Sequence, residues 1–274
     1  MTFQTHFTFK DGRRIARLGY GAMRLTGQPG NFGPYADWQG GIELLRAAHA
    51  DGAGHIDTAR AYGPHDNERL IAEAFADLDE AERPFIASKG GIEKNGAGVE
   101  FIRPNGRPKV IARHVEESLA ALNVEQIDLY YLHRPDAAVA IEESIAALAE
   151  VKRQGKIARI GVSNVTLEQL KRAQSATAID AVQNRYNPAE GGDEDVLDYT
   201  TEHGIAFVPW GPLAAKPLER GAPLAQGDTD QHGMTPAQRA LLALLERAPN
   251  ILPIPGTTTL THLRENLAIA KNGD

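Results

Sequence analysis

The feature of this sequence that most narrows its fold is an alternation sustained along nearly the whole chain. Short runs of β-branched and aromatic residues alternate with longer stretches in which apolar residues recur at helical period. Eight runs read as strands, at residues 15–21, 55–58, 84–88, 127–133, 158–162, 181–184, 205–209 and 251–254. Between them lie helical patterns such as GGIELLRAAHADG, VIARHVEESLAALN and AIEESIAALAEVKRQGK. Several stop at a C-cap glycine, as in Asp51-Gly52, Gln154-Gly155 and His203-Gly204. A strand reaches a parallel neighbour only through a crossover, so strands alternating with helices imply parallel βαβ units. Eight units in 274 residues fit one closed (β/α)8 TIM barrel domain over residues 1–274, since such barrels run to about 250 residues. Ahead of the first unit, FTFKDGRRIAR reads as an N-terminal β-hairpin in which Asp11-Gly12 supplies the positive φ angles of a tight turn. The alternative is an open doubly wound sheet. Its phosphate fingerprint is missing, because Arg24 stands where a third glycine would follow Gly19-Tyr20-Gly21.

Composition removes several classes of function. Lys and Arg number 29 against 36 Asp and Glu, for a net charge of −7. No global field therefore draws in nucleic acid or an anionic membrane, and any anion site must be built locally. The chain has no cysteine, which excludes disulfides, a thiol nucleophile and Cys-ligated zinc. No apolar run approaches the roughly 18 residues of a membrane span, and MTFQTHFTFKDGRR lacks an apolar signal core, so a cytoplasmic location is expected. Segments 90–108 and 211–235 are longer than the usual loops of such folds and are expected to be functional or mobile.

In a barrel the active site lies at the C-terminal ends of the strands. Four ionisable groups fall there: Asp57, Tyr62 in DTARAYG, Lys89 closing PFIASK, and His133 closing IDLYYLH. Singly, each has an ordinary explanation as a loop cap, a wet hydroxyl, a solvated lysine or a core histidine. Their joint placement at consecutive strand ends argues for a site. A tyrosine of ordinary pKa near 10 is a poor acid unless a cation stabilises its phenolate, which gives Lys89 a role. Asp57 then serves as the counter-ion, and His133 polarises a carbonyl oxygen by hydrogen bond. Such a set protonates an alkoxide as it forms.

The chain resembles the aldo-keto reductase family in LGYGAMRL, DTARAYGPHDNERLIAEAF, IASKGG, IDLYYLHRPD, GKIARIGVSN, AVQNRYNP, FVPWGPL and LPIPGTTTLTHLRENL, in the family's order over nearly the whole chain. The resemblance implies a barrel with an N-terminal hairpin, and a nicotinamide cofactor bound without a Rossmann domain. It also implies a catalytic tetrad of Asp57, Tyr62, Lys89 and His133, with Tyr62 as general acid. It places Gly21, Met23, Asp57 and Leu213 at the cofactor, Ser163, Asn164 and Gln183 on the nicotinamide carboxamide, and Trp210 where many members stack a tyrosine. At the adenosine end it implies Gly256, Thr257, His262, Glu265 and Asn266, beside a helix that begins near Thr259 and whose N-terminus favours a phosphate. Many members carry Lys in place of Gly256 and Arg in place of His262. NADPH is therefore expected to be preferred over NADH by a modest margin, with some positive charge from Arg264.

The function so implied is NADPH-dependent reduction of a small-molecule aldehyde or ketone to an alcohol. Segment 211–235 would close as a lid over the pyrophosphate, and segments 90–108 and 211–235 with Tyr35, Trp38 and Phe101 would set specificity. Two other functions stand beside it. One is a cofactor-binding sensor or interaction subunit on the same scaffold, against which the intact tetrad argues. The other is a metal-dependent barrel hydrolase: His55 and Asp57 alternate onto one strand face and His133 ends another strand, but more ligands are needed than the sequence supplies.

Overall fold

A computed structural model of the chain describes residues 3–213, 229–231 and 233–272. The chain enters through β1 (His6–Thr8) and β2 (Arg14–Ala16), paired antiparallel with Phe7 opposite Ile15. Inside the Phe9–Arg13 pair the turn has three residues, 10–12. Phe9 N–H donates to Arg13 O and Gly12 N–H to Phe9 O, both at 2.9 Å, and Gly12 alone in the turn is left-handed, at φ 88°. This is a type I turn with a glycine bulge, so Asp11 needs no positive φ; its carboxylate accepts from Arg13 N–H at 2.9 Å.

The repeating part runs β3 (Tyr20–Gly21), α1 (Trp38–Ala50), β4 (Ile56–Asp57), α2 (Asp66–Ala74) and β5 (Ile86–Gly90). Segment 90–108, expected as a long loop, holds an antiparallel hairpin of β6 (Ile92–Lys94) and β7 (Ile102–Pro104) before α3 (Pro108–Leu122). Next come β8 (Leu129–Leu132), α4 (Ile141–Arg153), β9 (Ile160–Ser163), α5 (Leu167–Ala176) and β10 (Ala181–Gln183). A short ribbon, β11 (Tyr186–Asn187) with β12 (Gly191–Gly192), precedes α6 (Glu194–Glu202) and β13 (Ala206–Phe207). The described chain ends with α7 (Pro236–Arg247) and α8 (Leu260–Leu267), followed by a short 3-10 turn. The expected lid at 211–235 lies mostly outside the described residues.

Seven strands form one parallel sheet in the order β3, β4, β5, β8, β9, β10, β13. The segment 250–255 closes it as the eighth staff. Phe207 N–H donates to Asn250 O and Leu252 N–H to Phe207 O, both at 2.8 Å, while on the other side Gly19 N–H donates to Pro253 O at 2.9 Å and Gly21 N–H to Pro255 O at 3.3 Å. The helix stops match the glycine signals. Ala53, Lys156 and Ile205 N–H reach back to Ala48, Val151 and Thr200 O, so Gly52, Gly155 and Gly204, all at positive φ, sit in Schellman caps.

The pleat sorts side chains into two cores. Ile56, Ile86, Tyr130, Ile160 and Val162 face outward and pack with the apolar stripes of the helices. Ala87, Leu129, Tyr131, Val208 and Ile254 fill the barrel, with Phe7, Phe9 and Ile15 of the hairpin closing its N-terminal end. Bulky inward rings require glycine opposite: a Cβ on Gly19 or Gly161 would overlap the rings of His55 or Tyr131. Among the described residues no helix is long and apolar enough to cross a membrane.

Candidate active site

Alternation along β4 and β5 turns Asp57 and Lys89 inward at the C-terminal mouth, where they are 3% and 1% exposed. Lys89 Nζ donates to Asp57 Oδ1 at 2.5 Å and to Thr58 O at 2.7 Å, and Gln183 Nε2 donates to Asp57 Oδ2 at 2.7 Å. Burial pushes the Asp57 carboxyl up. Burial also pulls Lys89 down, but the Asp57 and Tyr62 charges outweigh it and hold Lys89 above its ordinary value. Both carboxylate oxygens accept from groups that only donate, so the pair is ionised.

Tyr62 lies in the loop between β4 and α2. That loop is anchored by Arg60, whose backbone N–H donates to Lys89 O at 3.1 Å and whose Nε donates to Glu117 Oε2 on α3 at 2.5 Å. Lys89 Nζ stands 5.1 Å from the Tyr62 ring centroid, and the His133 ring meets Tyr62 edge-on, centroids 5.9 Å apart at 83°. Burial lifts the Tyr62 hydroxyl above its ordinary value; the Lys89 charge opposes the shift and the Asp57 carboxylate adds to it. The lowering expected from Lys89 is thus present but outweighed, and the phenol keeps its proton through neutral pH. His133 follows β8, with its N–H on Gly90 O at 2.8 Å. Burial, then the charges of Lys89, Arg134 and Lys94, hold its ring well below the ordinary histidine value, so the imidazole is neutral. Its Nδ1 is buried without a hydrogen-bond partner among the described residues.

Asp57, Tyr62 and His133 line a cavity of about 770 Å³, a volume suited to a small molecule. Gly21, Met23, Ser163, Asn164, Gln183, Trp210, Leu213 and Gly256 line it too, so most of the expected cofactor residues meet in one place. Asn164, at φ 56°, accepts from Trp210 Nε1 at 3.1 Å through Oδ1, and its Nδ2 donates to His133 O at 3.2 Å and Ser163 Oγ at 2.9 Å. This amide ties the indole to the backbone of His133.

Thr257, His262, Glu265 and Asn266 are not among the residues lining that cavity. Thr257 O accepts from the Tyr20 hydroxyl at 2.6 Å, and Thr259 caps α8 by accepting from His262 N–H at 3.3 Å. Glu265 accepts from the Thr235 hydroxyl at the start of α7, and Asn266 is buried. Arg264 pairs with Asp51 at 3.3 Å, at the C-terminus of α1, in an exposed ion pair. Tyr35 and Trp38 pack on the helix-side core, Trp38 donating to Glu73 at 2.8 Å, and Phe101 is not in the lining either. The wall is formed instead by Lys94, Glu100 and Ile102, all within the segment 90–108 expected to bear on specificity, and by Arg134, which follows His133. Arg134 had a signal in that adjacency; Lys94 had only its segment, because its burial depends on a distant loop.

His55 and Asp57 share the inward face, as the hydrolase reading requires. Asp57 is engaged by Lys89 and Gln183, however, and burial with the Lys89 charge lowers His55 to about 4. Among the described residues no group of three or more His, Cys, Asp or Glu is placed to hold a metal.

The family model for the aldo/keto reductase family matches residues 17–226. Pyridoxine 4-dehydrogenase of Escherichia coli is 39% identical over 272 residues, covering 96% of this chain and 93% of that one. A thermostable aldo-keto reductase solved with the inhibitor epalrestat superposes with a TM-score of 0.81 at 30% identity, covering 99% of this chain and 94% of that one. An aldo/keto reductase of Klebsiella pneumoniae, solved with NADP and acetate, gives 0.80 at 25% identity over 99% and 91%. With the barrel, its hairpin and this site on one chain, the protein belongs to the aldo/keto reductase family.

Proposed function

We propose that this oxidoreductase reduces a small-molecule aldehyde or ketone to an alcohol, with NADPH as the reductant and Tyr62 as the general acid. The observation that carries the reading is the buried Lys89–Asp57 pair set beside a protonated phenol and a neutral imidazole on one cavity wall. The relative that is a pyridoxine 4-dehydrogenase and the Klebsiella structure holding NADP support a nicotinamide cofactor. The cavity suits one. Trp210 offers a flat π face, and Ser163 and Gln183 offer a hydroxyl and an amide.

Held by Ser163, Gln183 and Trp210, a nicotinamide would supply the hydride that the carbonyl carbon takes up. The neutral His133 ring donates a hydrogen bond to the carbonyl oxygen and orients it. Tyr62 then gives that oxygen its proton, and the phenolate left behind is stabilised by the Lys89 ammonium, which Asp57 keeps charged. Tyr62→Phe removes only the hydroxyl, so kcat should fall by at least about a hundredfold while the Kd for NADPH stays nearly constant. Steady-state reduction of a panel of simple aldehydes, paired with fluorescence titration of NADPH, checks this. Near-normal turnover would overturn the assignment, and a large loss of cofactor affinity would make Tyr62 a binding residue instead.

A further inference from the structure

Given the carbonyl-reducing site proposed above, we infer that the substrate end of the cavity takes a carbonyl compound bearing an anionic group, carboxylate or phosphate, anchored by Lys94. Lys94 closes β6, lines the cavity and is 8% exposed. Its Nζ donates to Gly30 O at 2.6 Å and Asn31 O at 2.8 Å. An ammonium has three N–H donors, and the third finds no acceptor among the described residues. No carboxylate pairs with it there, in contrast to Lys89 with Asp57. Burial lowers its pKa, with two carbonyls but no negative charge to offset the cost. Such a cation has two of its three donors satisfied by the protein and is completed by a negative ligand.

A second observation points the same way. Arg134 also lines the cavity, is exposed, and has no ion-pair partner among the described residues. The charges of Arg134 and Lys94 both act on His133, so both bear on the reacting end. Asp57 is held by Lys89, which leaves Glu100 as the lining carboxylate without an ion-pair partner among the described residues. An excess of positive charge in the cavity of a chain with net charge −7 focuses anions into it. Lys94 and residues 30–31 belong to the β3–β5 arc of the mouth and Arg134 follows β8. Lys94 lies five residues beyond Lys89 and Arg134 directly follows His133, so both cations extend from the strand ends that carry the reacting side chains.

The test compares kcat/KM at saturating NADPH for 4-oxobutanoate against butanal, and for glyceraldehyde 3-phosphate against glyceraldehyde. Wild type, Lys94→Met and Lys94→Arg are measured. At least one charged member should exceed its neutral partner by about tenfold or more, and the pair that shows it tells carboxylate from phosphate. That ratio should fall toward one in Lys94→Met and persist in Lys94→Arg, and it should decline with added salt in the wild type and Lys94→Arg but hardly in Lys94→Met. Ratios near one in both wild-type pairs overturn the proposal. So does a Lys94→Met that lowers charged and neutral substrates alike, since Lys94 would then only staple the 30–31 loop. Calorimetric titration of succinate and of inorganic phosphate into the NADP-loaded protein reads the site without turnover. One of the two should bind about tenfold more weakly to Lys94→Met, and an unchanged Kd or no binding overturns the proposal. If no carbonyl is reduced but this binding depends on Lys94, the reductase reading falls and the anion site stands.

Discussion

Lys89→Met separates the charge pair from the packing around it. Methionine follows the lysine stem and ends without charge, so the variant leaves Asp57, 3% exposed, with Gln183 as its remaining side-chain donor. Removing one member of a buried ion pair costs about 3–5 kcal/mol, because an uncompensated carboxylate stays in the interior. That is a large share of a total stability of about 5–15 kcal/mol. The dependence on pH fixes the sign. Against the pull of burial, Asp57 and Tyr62 hold Lys89 above its unfolded value; its contribution is full below that value of about 10.5 and is lost only as pH rises through the folded one. The wild type therefore loses nothing from this group between about pH 5 and 8. In the variant, burial raises Asp57 with no ammonium to oppose it, so the folded state takes up a proton and gains stability as pH falls through the raised value. The deficit should narrow from pH 7 to pH 5. Urea denaturation of wild type, Lys89→Met, Asp57→Asn and the double variant measures it, and the double variant should recover part of the loss because no buried charge remains. A deficit under about 1 kcal/mol, an equal deficit at both pH values, or a double variant weaker than Lys89→Met would refute the reasoning.

Gly161→Ala places a Cβ into the Tyr131 ring, whose centroid is 6.0 Å from Lys89 Nζ. Stability should drop by about 1–3 kcal/mol and kcat with it, and an unchanged melting temperature would show that the barrel interior has slack. Arg17, 1% exposed, donates to the carbonyls of Gln4, Leu245, Ala248 and Ile251. Arg17→Met strands several buried acceptors and should cost about 3 kcal/mol or more in equilibrium denaturation, with Arg17→Lys recovering only part; a loss under about 1 kcal/mol contradicts this. His262→Arg adds a guanidinium in the first turn of α8 and should raise the NADPH over NADH affinity ratio severalfold in fluorescence titration. Tighter NADH binding in the wild type would reject the NADPH preference.

The sequence by itself determined what depends on near neighbours. Alternating strand and helix patterns are local in period, and the stops at Gly52, Gly155 and Gly204 are local cap chemistry, so the eight-unit barrel was legible. Asp57, Lys89 and His133 were legible for a related reason: a residue at a barrel strand's C-terminal end faces the mouth once the fold is granted. What only the tertiary structure decided involves partners far apart in the chain. Segment 90–108 has a turn signal in Asn95-Gly96, but which residues pair across it, Ile92 with Pro104 and Lys94 with Ile102, and the burial of Lys94 against the carbonyls of residues 30 and 31 depend on the closed fold. The partners of Arg264 and Glu265, which are Asp51 at the end of α1 and Thr235 at the start of α7, come from other helices and could not be read from the local sequence. At Tyr62 the sequence supplied the cation, but the direction of the shift is a balance of burial, Lys89 and Asp57. Desolvation and Coulomb energy depend on distance through space and on access of water, and neither is set until the barrel has closed.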